Sequence, residues 1–315
     1  TLLWSYSFIK SQNIFKKGSG ILITLFVSNI SWFTFIAACY YGFKNFSIYQ
    51  VLIGISFSVT LVYLAFARLS LYINSKFKDK SKLVKFVNKY YLGGNVNSVA
   101  VKSDGNGLTT RFVSGDKSLL GEVKLNNFAI EEAEFGVYTT DVLLKVLSVL
   151  NENISIDLVK SGDKVISLNA KDDGAKVNYM LSDLSVINQP PQLKQIPEFE
   201  LQLNVDSTFI KKFIAGKGAL PDTESFTVIS GNNTEVVIGY SSIATNRVAI
   251  PVQNKTDNMI DNVSFSANLF KDVLEANKEC ESATLEVSSE GLARIKFNVN
   301  DYESTYYLVA VQNVN

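Results

Sequence analysis

Histidine is absent from this 315-residue sequence, and cysteine occurs only twice. Without histidine the chain has no ordinary general base for neutral pH, no imidazole ligand for zinc and no Ser-His or Cys-His nucleophile. Cys39 and Cys280 form neither a metal-ligand spacing nor a disulfide framework, which favours a reducing, cytoplasmic compartment. These absences argue against an enzyme, and they indicate neither a metal nor another cofactor.

Acidic residues are missing from the first quarter of the chain. Residues 1–78 contain seven Lys and Arg but no Asp or Glu, whereas residues 79–315 contain 23 Lys and Arg against 30 Asp and Glu. The formal net charge of zero therefore combines +7 in the first part with −7 in the second. We interpret the two parts as physically different segments.

Charges of either sign are missing from two long runs in the first part, residues 19–43 and 46–67. Each run exceeds the roughly 20 residues that span the hydrocarbon core of a bilayer as a helix. Basic residues flank the pair of runs, so residues 1–78 are predicted to form an all-α transmembrane hairpin with both ends in the cytoplasm. The alternatives are a buried helical hairpin of a soluble protein and a fused or mis-joined reading frame. The start at Thr1 leaves open whether the chain is a fragment.

Four segments after residue 78 carry apolar residues at helical spacing. They are residues 79–94, 138–153, 206–218 and 266–280. Between them lie three or four segments of alternating polar and apolar residues, bounded by Gly, Asn and Asp, which predict strands. Residues 186–199 hold three of the five prolines and predict an extended linker.

Several residues predict where these helices begin and end. The two glycines Gly93 and Gly94 are expected to stop the first helix in a left-handed C-cap. The expected N-caps of the other helices are Thr139 or Thr140, Asp206 or Ser207, and Ser266.

The recurrence of helices and strands predicts an α+β fold with two similar subdomains, each made of short helices packed on antiparallel sheets. We place the first subdomain at residues 79–188, an interdomain linker at 189–197 and the second subdomain at 198–315.

The element order, the proline-rich crossover at 186–199 and two local segments resemble one known family. The segments are GVYTTDVLLKVLSVLNENISI and ARIKFNVNDYESTYYLVAVQ. The chain resembles the sliding clamp of large tailed phages, a trimeric ring that serves as DNA polymerase processivity factor. The resemblance covers residues 79–312, and residues 1–78 have no counterpart in the family. It implies a DNA-clamp fold, a homotrimer around double-stranded DNA, DNA polymerase and a clamp loader as partners, and the host cytoplasm during infection.

A ring that slides on DNA needs dispersed positive charge near the phosphates and no base contacts. Lysines on the polar faces of the four predicted helices meet this requirement. The DNA-binding candidates are Lys82, Lys85, Lys89, Lys145, Lys211, Lys212, Lys217, Lys271 and Lys278. For any single lysine the alternative is a solvated surface charge, and Asp272 and Glu275 weaken the fourth helix as a DNA face. The acidic remainder would repel DNA from the outer surface.

The resemblance also implies a partner-binding pocket beneath the linker, into which replication proteins insert a short apolar tail. In this chain that region comprises Val186, Ile187, Leu193, Ile196, Tyr306, Tyr307 and Val309. Ordinary core and linker packing is the alternative for each of these residues. Ring closure would use edge strands that pair between subunits.

The sequence also allows an alternative function from another class. Residues 1–78 would anchor a non-enzymatic, β-rich interaction domain to a membrane, with no affinity for DNA. A clamp with a genuine anchor would instead be tethered to the membrane through the same residues.

Overall fold

The computed structural model describes most of the chain after residue 77. The described residues are 78–191, 195–231, 233–241, 243, 245–256 and 258–311. The transmembrane hairpin predicted at residues 19–43 and 46–67 lies outside them. Among the described residues, no helix is long and apolar enough to cross a membrane. The described residues belong to one compact unit, Lys76–Asn315.

Four α-helices form in the described residues, at the segments with helical spacing. They are α1 Lys80–Tyr91, α2 Thr140–Ser148, α3 Ser207–Ala219 and α4 Ala267–Ala276. Asp79, Asp206 and Ser266 each accept a hydrogen bond from a backbone N–H in the first turn of the helix that follows. The prediction of caps at Asp206 and Ser266 is therefore confirmed. Thr139 occupies the N-cap position of α2, although its side chain makes no capping hydrogen bond.

The end of α1 differs from the prediction in one residue. Leu92, and not a glycine, takes the left-handed C-cap conformation with φ 47°, and its N–H donates to the carbonyl of Asn88. Gly93 and Gly94 continue with φ values of 63° and 112°. The two glycines are needed because three successive positive φ values would strain side chains that carry a Cβ.

Sixteen strands accompany the helices in the described residues. They are β1 Lys78–Asp79, β2 Val99–Ser103, β3 Leu108–Val113, β4 Leu119–Leu125, β5 Ala133–Val137, β6 Asn153–Ser161, β7 Lys164–Lys171, β8 Lys176–Met180, β9 Leu201–Asp206, β10 Ser225–Ile229, β11 Glu235–Ile238, β12 Val248–Pro251, β13 Val263–Ser266, β14 Ser282–Val287, β15 Leu292–Val299 and β16 Tyr302–Val309. Strand β5 was not predicted from the sequence, since its acidic residue and glycine are unusual in a strand.

The element order is the same in both halves: a strand, a helix, four strands, a second helix and three strands. The central sheet has the order β5-β2-β3-β4-β16-β15-β14-β9, and the flanking sheets are β1-β6-β7-β8 and β12-β11-β10-β13. Strand β4 pairs with β16 along their length, from Leu125 opposite Tyr302 to Leu119 opposite Leu308. The halves thus share one continuous antiparallel sheet.

Aromatic side chains fill the core of each half. In the second half the ring of Phe213 lies 5.2 Å from that of Phe226 and 4.9 Å from that of Phe270, between ring centres. In the first half Phe112 lies 6.3 Å from Tyr90 and 6.2 Å from Tyr306. Because Tyr306 belongs to the last strand, this second cluster joins the core of one half to that of the other.

Candidate nucleic-acid interface

The four helices form a layer against the sheets, in the spatial order α2, α1, α4, α3. Together they contain nine lysines but only three acidic residues, Asp141, Asp272 and Glu275. The rest of residues 79–315 contains 14 basic and 27 acidic residues. The helix layer is therefore the positively charged part of an otherwise acidic body.

The solvent side of this layer carries seven of the nine DNA-binding candidates, and we call it the lysine face. It consists of Lys82, Lys85, Lys145, Lys211, Lys212, Lys271 and the adjoining Lys278. Lys82 and Lys271 are half-buried, and the other five are exposed. Each helix buries its apolar stripe against the sheets, which leaves the polar stripe in solvent.

Ion pairs neutralise three lysines of this face. Lys82 pairs with Asp301, which follows β15. Along α2 and α4, Lys145 Nζ lies 3.2 Å from Asp141 and Lys271 Nζ lies 3.4 Å from Glu275, each at the i,i+4 spacing. Within the described part of the chain, the other four lysines have no ion pair. They are Lys85, Lys211, Lys212 and Lys278.

Two further candidates, Lys89 and Lys217, are not on the lysine face, so the prediction that they face solvent is wrong. Lys217 is 4% exposed and donates to the backbone carbonyls of Leu220 and Pro221 just beyond α3. Its side chain turns inward because these carbonyls at the helix end have no partner within the helix.

Lys89 is 1% exposed and joins α1 to the end of α4. Its Nζ donates to the carbonyl of Ala276 at 2.9 Å, to Oδ1 of Asn277 at 2.9 Å and to Oε1 of Glu279 at 3.1 Å. Burial lowers the pKa of Lys89, and the charge of Glu279 opposes this shift. The hydroxyl of Tyr306 donates to the Lys89 carbonyl at 2.8 Å, which adds β16 to the junction.

Helix α4 is the acidic exception in the layer. Asp272 lies against the turn that ends α1, and its Oδ2 accepts a hydrogen bond from Asn95 Nδ2 at 2.8 Å. Partial burial raises the pKa of Asp272, while the Asn95 hydrogen bond and the charge of Lys271 counteract that shift.

Strand edges were expected to close a ring, and the structure shows which edges are open. Five of the strands at the sheet edges have four or more residues, and three of these have a backbone partner on their outer side. Strand β5 pairs with Ser182, β9 with residues 253–255 and β13 with Val311. Strands β8 and β12 have no backbone partner on their outer side among the described residues. These two edges belong to different flanking sheets.

The predicted partner-binding residues separate into accessible and buried ones. Val186, Ile196 and Val309 are exposed and Tyr307 is half-buried. Ile187 and Tyr306 are 4% and 0% exposed, so their predicted role in an accessible pocket is wrong. Ile187 packs near Gly136, and Tyr306 fills the core between the halves. Leu193 lies outside the described residues.

Three neighbours of Tyr307 on the outer face of the central sheet were not predicted from the sequence. Leu120 on β4 lies opposite Val113 on β3 and opposite Tyr307 on β16. Two residues further along β16, Val309 lies opposite Leu292 on β15. We call these five residues the outer apolar patch. The linker passes beside them, where Arg111 Nη2 donates to the Pro191 carbonyl at 3.3 Å. Each strand alternates inward and outward residues, but only the register brings the outward ones together.

No group of three or more His, Cys, Asp and Glu side chains that could hold a metal ion occurs in the described ranges.

Comparisons with known proteins identify the fold. No protein-family model matches the sequence, and no curated protein matches it significantly. The crystal structure of proliferating cellular nuclear antigen from Entamoeba histolytica superposes with a TM-score of 0.59 at 14% identity, covering 75% of this chain and 97% of that one. The antigen from A. fulgidus, bound to the C-terminal region of FEN-1, gives a TM-score of 0.61 at 14% identity, covering 76% and 98%. The expectation of a sliding-clamp fold for most of the chain is confirmed.

Proposed function

We propose that the chain is the ring-forming subunit of a DNA sliding clamp, a non-enzymatic processivity factor that encircles duplex DNA without reading its bases. The division of charge carries this proposal: the helices contain nine lysines, of which six lie on the lysine face, against three acids, and the rest of residues 79–315 has 14 basic against 27 acidic residues. Lysines spread over several helices attract phosphates without base contacts, while the acidic remainder repels them.

The proposed ring closes through the open edges of β8 and β12. Because these are different edges of one subunit, pairing β8 of one copy with β12 of the next is a heterologous contact, which closes into a ring at a suitable rotation. The resemblance to phage clamps favours three copies, and a host cytoplasm during infection. Residues 1–78 would tether such a ring to the membrane if the predicted hairpin is an anchor.

The outer apolar patch is the proposed docking site for DNA polymerase and the clamp loader. It lies on the sheet face opposite the helices and beside the linker, so a bound partner leaves the lysine face free. The antigen from A. fulgidus binds the C-terminal region of FEN-1. By analogy, we expect a short apolar peptide to bind this patch.

Mass measurement by light scattering tests the ring. We expect the 315-residue chain to have about three times the monomer mass over a range of protein concentrations, because a closed ring satisfies all of its open strand edges. A monomer at every concentration would contradict the proposal and would favour the membrane-anchored interaction domain.

DNA binding is tested with a charge reversal on the lysine face. We expect Lys85→Glu combined with Lys211→Glu to abolish binding to a fluorescent linear duplex, because both lysines are exposed and free of ion pairs. The matched control is Lys102→Glu with Lys296→Glu, which makes the same charge change at exposed positions on β2 and β15. Equal loss of binding in both double variants would contradict a lysine face that binds DNA.

A further inference from the structure

The second helix of each half departs from the charge pattern of the first. In α1 and α3 the exposed positions include Lys85, Lys211 and Lys212, none of which has an ion pair in the described residues. In α2 the single lysine is paired with Asp141. Helix α4 contains one lysine and two acidic residues, so it carries a net charge of −1 in the middle of a positive layer.

Asp272 is the acid of α4 that forms no ion pair among the described residues. Lys271 already pairs with Glu275 at 3.4 Å, and Lys217 is committed to the two carbonyls beyond α3. Among the described residues, no Lys or Arg nitrogen lies within 4.0 Å of the Asp272 carboxylate. Its hydrogen-bond partner is the neutral amide of Asn95, 2.8 Å away, so no ion pair neutralises the negative charge.

The position of Asp272 allows its negative charge to act on phosphates at the lysine face. The residue lies on the solvent side of α4, against the turn that ends α1, and is partly buried. The Asn95 hydrogen bond fixes the orientation of the carboxylate, and partial burial reduces its screening by water and salt. A phosphate that approaches Lys85 and Lys211 from this side therefore also meets a fixed negative charge.

We propose that Asp272 is an affinity-limiting residue of the lysine face, whose carboxylate repels DNA phosphates and keeps the hold on DNA weak enough for sliding. This inference rests on the proposed clamp function and deepens it. A ring that surrounds DNA is retained by its closed shape and does not need tight contacts. Each unneutralised acid on the face lowers the attraction of the neighbouring lysines.

The test measures binding of the 315-residue chain to a fluorescent linear duplex by anisotropy, at several salt concentrations. We expect Asp272→Asn to tighten binding about two- to threefold per subunit, the effect of one charge about 8 Å from a phosphate in water. The difference should shrink as salt rises, because screening weakens the repulsion. Asp163→Asn, in the exposed turn between β6 and β7, makes the same chemical change away from the helices and should leave binding unchanged.

Asp272→Ala separates charge from structure, since alanine removes the charge and also the hydrogen bond with Asn95. Equal tightening by Asn and Ala supports the electrostatic role, whereas tightening by Ala alone overturns it. Unchanged binding by both variants, in a protein that still loses binding in the Lys85→Glu and Lys211→Glu double variant, overturns this inference and leaves the proposed function intact. Absence of DNA binding by the unaltered chain would overturn both.

Discussion

Three lysines near helix ends serve the fold. Lys80 donates to the carbonyl of Leu150 after α2, Lys89 to that of Ala276 at the end of α4, and Lys217 to those of Leu220 and Pro221 after α3. A positive charge at a helix C-terminus interacts favourably with the helix dipole, and the ammonium group satisfies carbonyls that have no partner within the helix. These side chains therefore stabilise the layer from within.

Substitution by methionine should have different effects on stability and on DNA binding at these lysines and at those of the lysine face. We expect Lys89→Met to lower the free energy of unfolding by about 2–4 kcal/mol, because the carbonyl of Ala276 and the amide oxygen of Asn277 lose a buried donor. Lys211→Met should leave stability unchanged and weaken binding to duplex DNA, because Lys211 is exposed. Urea unfolding and DNA-binding anisotropy on both variants check the pair. A stable Lys89→Met protein with weakened DNA binding would contradict this division.

Among the secondary-structure elements, strand β8 has an open edge whose role in assembly can be tested directly. Leu181 N–H donates to the Ile166 carbonyl of β7, and backbone groups alternate in direction along a strand. The N–H groups of Asn178 and Met180 therefore point away from β7, toward the open side. A pairing strand from another subunit would use these donors.

Proline at an outward-pointing position should block that pairing and spare the subunit. We expect Asn178→Pro to prevent ring assembly, because proline has no N–H and is tolerated at the outer edge of a sheet. The expected particle is a folded monomer by light scattering, with unchanged circular dichroism. Asn178→Ala is the control and should still assemble. Full assembly of the proline variant would show that β8 is not a subunit contact.

At the scale of the whole molecule, a closed ring and a surface-bound subunit respond differently to salt. Binding held only by about three phosphate contacts should weaken about 40-fold between about 50 and about 200 mM salt. A ring threaded on DNA stays linked as long as it remains closed, whatever the strength of its contacts.

This difference can be measured on a linear duplex fixed to a bead at one end. We expect the chain to slide off at high salt when the free end is open, and to be retained when a bulky protein blocks that end after binding. Equal release from open and blocked DNA would contradict encirclement and would leave only surface binding through the lysine face.

Local sequence patterns were enough to predict the helices of the described residues, most strands, the caps at Asp206 and Ser266 and the excess of lysine on the helices. These features depend on periodicity and on hydrogen bonds between residues close in the chain. The resemblance to clamps also indicated the fold. Strand β5 was not predicted because Ala133, Glu134 and Gly136 have weak strand preference, and its place depends on pairing with β2.

Which lysines face solvent, and which apolar residues contact each other, depends on contacts between elements that are distant in the chain. Lys85 and Lys89 lie one helical turn apart on α1, yet Lys89 is buried because the end of α4, almost 190 residues later, supplies its acceptors. The outer apolar patch likewise depends on the pairing of β3, β4, β15 and β16. Contacts between residues far apart in the chain leave no local pattern in the sequence, so packing and register alone could fix them.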